Sequence, residues 1–65
     1  QLGVPVSRDQ LQPGDLVFFS GLGHMGMYIG GRNFIHAPQT GDVVKISSID
    51  DPYRVANWVG ARRVL

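Results

Sequence analysis

The chain has 65 residues, of which 43% are hydrophobic and 17% are charged; its formal net charge is +1 and it contains no cysteine. This size and composition predict one small globular domain at most. The near-neutral charge argues against a nucleic-acid partner, no apolar run approaches the roughly 18 residues of a membrane span, and the lack of cysteine excludes disulfides and a thiol nucleophile within these residues.

Closely spaced glycines and prolines predict short strands joined by turns rather than long helices. Residues 11–15 predict a turn, because Pro13 presets φ and Gly14 reaches positive φ, while Asp15 bonds nearby backbone N–H groups. The continuous apolar run at 16–19 then predicts a strand that is buried on both faces.

Four further strands are predicted, at 25–29, 33–37, 43–47 and 58–64. Between the last two, we expect an irregular or single-turn helical connection at 49–55. The whole reads as an antiparallel meander of about five strands. A sheet this apolar requires a covering layer on one face. Since the chain supplies none and begins at Gln1, we expect it to be a portion of a longer protein.

Two histidines lie on consecutive predicted strands, on either side of the glycine loop at 30–32. Alternation along a strand places His24, Gly26 and Tyr28 on one face. A three-residue loop would set Gly26 opposite His36 and make His24 a diagonal neighbour of His36 on the same face. A two-residue loop would put the histidines on opposite faces, and the spacing alone does not choose between these registers.

A single histidine is more often structural than catalytic, but this pair has two functional interpretations. The histidines form either a general base with its orienting group or part of a metal site. A metal needs further ligands, and the nearby oxygen donors are Asp15 and Asp42, in a spacing that matches no metal motif. We therefore expect no metal and no cofactor. Tyr28 and Gly26 are candidates for substrate binding, although a core aromatic and a close backbone approach are the simpler interpretations.

Four stretches, in this order and spacing, resemble the NlpC family of bacterial cell-wall cysteine peptidases. They are LQPGDLVFF at 11–19, HMGMYIG at 24–30, FIHAP at 34–38 and VGARRV at 59–64. The resemblance implies an α+β, papain-like fold in which a helix carrying the nucleophile packs on an antiparallel sheet. Residues 1–65 would be the C-terminal part of one such domain, comprising the sheet without the nucleophile helix.

The resemblance also implies a function. The family hydrolyses amide bonds in peptidoglycan stem peptides, such as those of the D-glutamyl-diaminopimelate type, and its members are secreted or attached to the bacterial cell envelope. His24 matches the catalytic base and His36 the third polar residue, which orients that base. The family's Asp-Cys-Ser-Gly motif and its upstream tyrosine have no counterpart here. The 65 residues alone are therefore expected to be inactive and to require the missing N-terminal half.

Two alternatives remain open at the level of the sequence. The chain could belong to a non-catalytic domain that kept the fold and binds stem peptides, which would have another residue in place of the upstream cysteine. It could instead be a small β-barrel interaction module, which would fold independently but would leave both histidines unexplained.

Overall fold

The computed structural model describes residues 3–21, 25–37 and 43–64. Within these residues, six strands form one antiparallel sheet, and a short helix connects the last two. The elements are β1 (Val4–Val6), β2 (Leu16–Phe19), β3 (Met25–Gly30), β4 (Asn33–His36), β5 (Lys45–Ser48), α1 (Pro52–Ala56) and β6 (Trp58–Arg63). The strand order across the sheet is β1-β6-β2-β3-β4-β5.

The predicted five-stranded meander is wrong in two respects. β1 is an additional strand at the sheet edge, where Pro5 is tolerated because an edge strand leaves some backbone groups unpaired. The closing strand does not extend the meander beyond β5. It inserts between β1 and β2, with Ala61 paired to Val6 on one side and to Val17 on the other, so its backbone is hydrogen-bonded along both edges.

The prediction for β5 is also wrong at its start, because the strand begins at Lys45 rather than at residue 43. Val43 and Val44 lie outside the strand and are exposed. Apolar character alone therefore does not mark the beginning of this strand.

The two faces of the sheet differ in burial, so the prediction that β2 is buried on both faces is wrong. Val17 and Phe19 are buried, whereas Leu16 and Phe18 are half-buried. The inner face carries the hydrophobic core, composed of Val17, Phe19, Tyr28, Phe34, Ile49 and Ala61. The opposite, outer face carries exposed apolar side chains, among them Met25, Met27 and Ile46.

The register of β3 and β4 answers the question that the loop length left open. The turn has two residues, Gly31 and Arg32, both at positive φ. A bulge in β3 leaves Ile29, between Tyr28 and Gly30, without a partner in β4. This one extra residue compensates for a turn that is one residue shorter than a three-residue loop. Tyr28 consequently pairs with Phe34, the same register that a three-residue loop would produce, and Gly26 and His36 fall on the inner face together.

The predicted helical connection is confirmed as α1. Asp51 caps the helix by accepting a hydrogen bond from the Tyr53 N–H at 3.0 Å, and Pro52 occupies the first turn. Arg54 is buried and lies 5.1 Å from the ring centres of both Phe19 and Phe34, so α1 covers part of the inner face. In the part of the chain that the structure describes, no helix has the length and apolarity to cross a membrane.

Candidate active site

His36 is the last residue of β4 and is buried at the inner face, with 6% of its surface exposed. The alternation of β4 directs Phe34 and His36 to the same side, and their ring centres are 4.6 Å apart. The aromatic contact and the burial hold the imidazole in one orientation. Of the two histidines predicted to be catalytic, His36 lies within the described residues and His24 lies outside them.

The two ring nitrogens of His36 have different surroundings. Nε2 lies 2.8 Å from Oγ of Ser47, which is in β5 and diagonal to His36 across the strand pair. Nδ1 is buried and has no hydrogen-bond partner among the described residues. A buried polar atom without a partner costs about 1–3 kcal/mol, so such atoms are uncommon in folded proteins and Nδ1 calls for a partner outside the described residues.

The surroundings of His36 favour its neutral imidazole. Burial is the main cause that lowers the pKa of His36, and the positive charges of Arg54 and Lys45 lower it further. A neutral imidazole has one N–H donor and one nitrogen acceptor. His36 is therefore suited to make two hydrogen bonds of opposite direction rather than to carry a charge.

Gly26 lies where β3 and β4 approach each other closely. A Cβ atom at this position would lie 2.6 Å from Cδ2 of Phe34, 2.8 Å from the Ile35 carbonyl oxygen and 3.2 Å from Cβ of His36. The glycine thus makes room for the inward-facing side chains of β4. Its predicted contact with substrate stays a prediction.

Tyr28 is part of the hydrophobic core, with 6% of its surface exposed. Its hydroxyl oxygen accepts a hydrogen bond from the backbone N–H of Arg32 at 3.0 Å, which braces the turn between β3 and β4. Core packing and this hydrogen bond are sufficient structural reasons for a tyrosine at this position. The predicted role of Tyr28 in a substrate groove stays a prediction.

Two aspartates, Asp15 and Asp42, are the oxygen donors considered for a metal site. Asp15 is buried and receives hydrogen bonds from Nε and Nη2 of Arg63, each at 2.9 Å, and from the backbone N–H of Gln12 at 2.8 Å. The hydrogen bonds from Arg63 are the main cause that lowers the pKa of Asp15. The turn contact predicted for Asp15 is confirmed, and both of its oxygens are used within the fold. Asp42 lies outside the described residues.

Sequence reasoning missed Ser47 and Arg54, two polar residues that act on His36. Ser47 is separated from His36 by eleven residues, and a small hydroxyl residue in a strand gives no local signal of such a contact. Alternation along β5 would have placed Ser47 and Lys45 on one face, but not opposite β4. Arg54 lies in a helix of five residues, too short for a hydrophobic periodicity that would show its buried side.

Comparison with known proteins identifies close relatives of the chain. It is 42% identical over 66 residues to the murein DD-endopeptidase MepH of Escherichia coli (strain K12), covering 94% of this chain and 24% of that protein. It is also 42% identical over 69 residues to the gamma-D-glutamyl-L-lysine dipeptidyl-peptidase of Bacillus cereus, covering 97% of this chain and 21% of that protein. The chain thus spans about a quarter of the length of these relatives.

A solved structure shares the fold. The crystal structure of an NlpC/P60 family protein from Bacillus cereus superimposes with a TM-score of 0.83 at 40% sequence identity, covering 97% of this chain and 23% of that one. The sequence model of the NlpC/P60 family matches residues 1–63. The resemblance seen in the sequence is therefore confirmed, and the chain belongs to the NlpC/P60 family.

Proposed function

We propose that these residues are part of a cysteine endopeptidase that hydrolyses peptidoglycan stem peptides, and that they contribute the general base His24 and its orienting residue His36. One observation carries the assignment of His36: this buried, neutral imidazole is anchored at Nε2 by Ser47, while Nδ1 has no partner among the described residues. The assignment of His24 rests on the sequence motif.

The chemistry requires what His36 is suited to offer. A catalytic base works when a third group holds its ring in one tautomer and orientation. The family motif begins with His24, two residues before Gly26, and Gly26 lies against His36. A hydrogen bond from His24 to Nδ1 of His36 would satisfy the buried nitrogen and orient the base at the same time.

The nucleophile would be a cysteine outside these 65 residues. Its thiolate, stabilised by protonated His24, attacks the amide carbonyl carbon, and the thiol proton held by His24 passes to the leaving amine as the C–N bond breaks. Water then attacks the thioester carbonyl carbon and gives one proton back to His24. As the C–S bond breaks, the thiolate is restored and the product leaves as a carboxylic acid, which loses its proton to solvent. A neutral orienter suffices for this chemistry, because a thiolate is a strong nucleophile by itself.

The outer face supports the proposal that residues 1–65 are one portion of a papain-like α+β domain. Met25, Met27 and Ile46 are 44–63% exposed there, beside half-buried Leu16 and Ile35. An apolar patch of this kind requires a cover in a soluble protein. We propose that helices of the remaining domain provide it. The isolated 65 residues should therefore self-associate, and a concentration-independent two-state melt of a monomer would instead favour an independent module.

The activity is tested by substitution of each histidine in the complete protein. His24→Ala should abolish hydrolysis, with a loss of at least about 10³-fold in kcat, and His36→Ala should lower kcat by about 10²-fold. The measurement is the release of soluble fragments from purified peptidoglycan, with thermal melting of each variant as the control for folding. Mass spectrometry of the fragments would identify the bond cleaved, for which we propose a D-glutamyl-diaminopimelate type. Full activity in both variants would contradict the proposed function.

A further inference from the structure

We propose that Ser47 is a positioning residue that selects the tautomer of His36 by accepting a hydrogen bond from Nε2–H. This inference rests on the proposed function, since it explains how His36 is prepared to orient the base. Selection of the tautomer leaves Nδ1 of His36 as an acceptor that is available to the base.

The position of Ser47 is set by the sheet rather than by a loop. β4 and β5 pair without interruption from Asn33 opposite Ser48 to His36 opposite Lys45. Ser47 therefore lies diagonal to His36 on the inner face, and its Oγ is 2.8 Å from Nε2. The contact with Ser47 and the Phe34 ring, whose centre is 4.6 Å from that of His36, limit rotation of the imidazole.

The direction of the hydrogen bond follows from what the base needs. A protonated base has two N–H donors, one for the reaction and one for its orienter, so the orienter must offer an acceptor. If Ser47 donated to Nε2, the proton of neutral His36 would reside on Nδ1, and two donors would face each other. If Nε2–H donates to Ser47, Nδ1 carries the lone pair that the base requires.

The surroundings of His36 disfavour a proton on both ring nitrogens. Burial is the main cause, and the positive charges of Arg54 on α1 and Lys45 on β5 add to it. On the β3 side, Gly26 lies against Cβ of His36 and contributes no side chain. With a doubly protonated ring disfavoured, the choice between the two neutral tautomers depends on the partner at Nε2.

The test uses three variants of the complete protein. Ser47→Ala removes the acceptor, and Ser47→Thr retains a hydroxyl in a residue that suits a strand. Ser48→Ala is the matched control, because Ser48 is the next residue of β5 and its Oγ accepts a hydrogen bond from the Asp50 N–H instead. The readouts are the ¹⁵N NMR shifts of the His36 ring, the pH dependence of kcat/KM, and the separate values of kcat and KM on purified peptidoglycan.

We expect His36 to be protonated at Nε2 in the unsubstituted protein, in Ser47→Thr and in Ser48→Ala. Ser47→Ala should show a mixture of tautomers, an altered pH profile and a kcat lowered by about 10-fold at constant KM, the size expected from partial loss of acid–base catalysis. The Nδ1–H tautomer in the unsubstituted protein would overturn the inference, as would a Ser47→Ala variant indistinguishable from Ser48→Ala.

The histidine variants separate this result from failure of the proposed function. Inactive His24→Ala together with an unaffected Ser47→Ala would overturn the role of Ser47 alone. Full activity of His24→Ala and His36→Ala would overturn the proposed function, and the role of Ser47 with it.

Discussion

Asp15 and His36 are both buried polar side chains, but they differ in how completely their polar atoms are satisfied. The carboxylate of Asp15 accepts hydrogen bonds from Nε and Nη2 of Arg63 and from the Gln12 backbone. His36 has one hydrogen bond, to Ser47, and one buried nitrogen without a partner in the described part of the chain. The Asp15 cluster is complete within these residues, whereas the His36 cluster leaves one atom for a further partner.

This difference separates a structural role from a functional one. Asp15 and Arg63 are 48 residues apart, and their contact ties the turn before β2 to the end of β6. Substitution there should affect the free energy of unfolding. Substitution of His36 should mainly affect catalysis, because only one of its two ring nitrogens is bonded within the described residues.

The largest effect on stability is expected from Asp15→Ala. It removes the buried partner of Arg63, and we expect a loss of about 3 kcal/mol in the free energy of unfolding, the low end for a broken buried ion pair because Arg63 still reaches water. The measurement is urea denaturation of the complete protein, with His36→Gln compared in the same buffer and expected to lose less. A folded Asp15→Ala protein with reduced kcat but unchanged stability would contradict the separation.

Gly26→Ala should be the next largest, with a loss of about 2 kcal/mol. The added methyl group would meet the Ile35 carbonyl oxygen at 2.8 Å, and a backbone atom in a paired strand cannot move aside cheaply. Gly60→Ala is the control, because no described atom lies within 4 Å of the added Cβ atom. Urea denaturation compares the two. Equal losses in the two variants would show that the close contact between β3 and β4 at Gly26 does not contribute to the free energy of unfolding.

The pH range in which stability is lost should differ between the His36 cluster and the Asp15 cluster. The pKa of His36 is lowered mainly by burial, and that of Asp15 mainly by the hydrogen bonds from Arg63. Each group thus contributes stability that is present above its unfolded pKa, about 6.5 for histidine and 3.9 for aspartate, and is lost as the pH falls through its folded pKa.

The measurement is the difference in free energy of unfolding between the unsubstituted protein and each variant from pH 8 to pH 3. For His36→Gln the difference should begin to fall below about pH 6.5. For Asp15→Asn it should stay constant down to about pH 4 and then fall. If the difference for Asp15→Asn already changes between pH 7 and pH 5, protonation of Asp15 is not the cause of the loss expected below about pH 4.

The smallest effect is expected from Asp50→Asn. Asp50 receives two hydrogen bonds from Arg32, at 2.8 and 2.9 Å, and one from Arg8 at 3.3 Å. The hydrogen bonds from Arg32 are the main cause that lowers the pKa of Asp50 to about 2, and Arg8 lowers it further. The geometry matches that of Asp15 and Arg63, but both side chains are about half exposed. Exposed ion pairs contribute little and are screened by salt. A change in melting temperature as large as that of Asp15→Ala would show that geometry, not burial, decides the contribution.

Several local elements and the candidate histidines could be predicted from the sequence. Proline, glycine and aspartate at 13–15 predicted the turn, and alternation along the strands predicted which residues of β3 and of β4 share a face. These features depend on φ preferences and alternation within a few residues, so they are readable without a fold. The family motifs are equally local, which is why the family membership was predictable.

Tertiary structure alone decided the register of β3 with β4, the insertion of β6 between β1 and β2, and the polar contacts of His36. The bulge that places Gly26 against His36 gives no signal in composition or spacing. The contact between Ser47 and His36 joins two strands, and that between Asp15 and Arg63 joins two ends of the sheet. Such contacts depend on which strands are hydrogen-bonded neighbours in the sheet. That order is a property of the packed sheet as a whole rather than of any short segment.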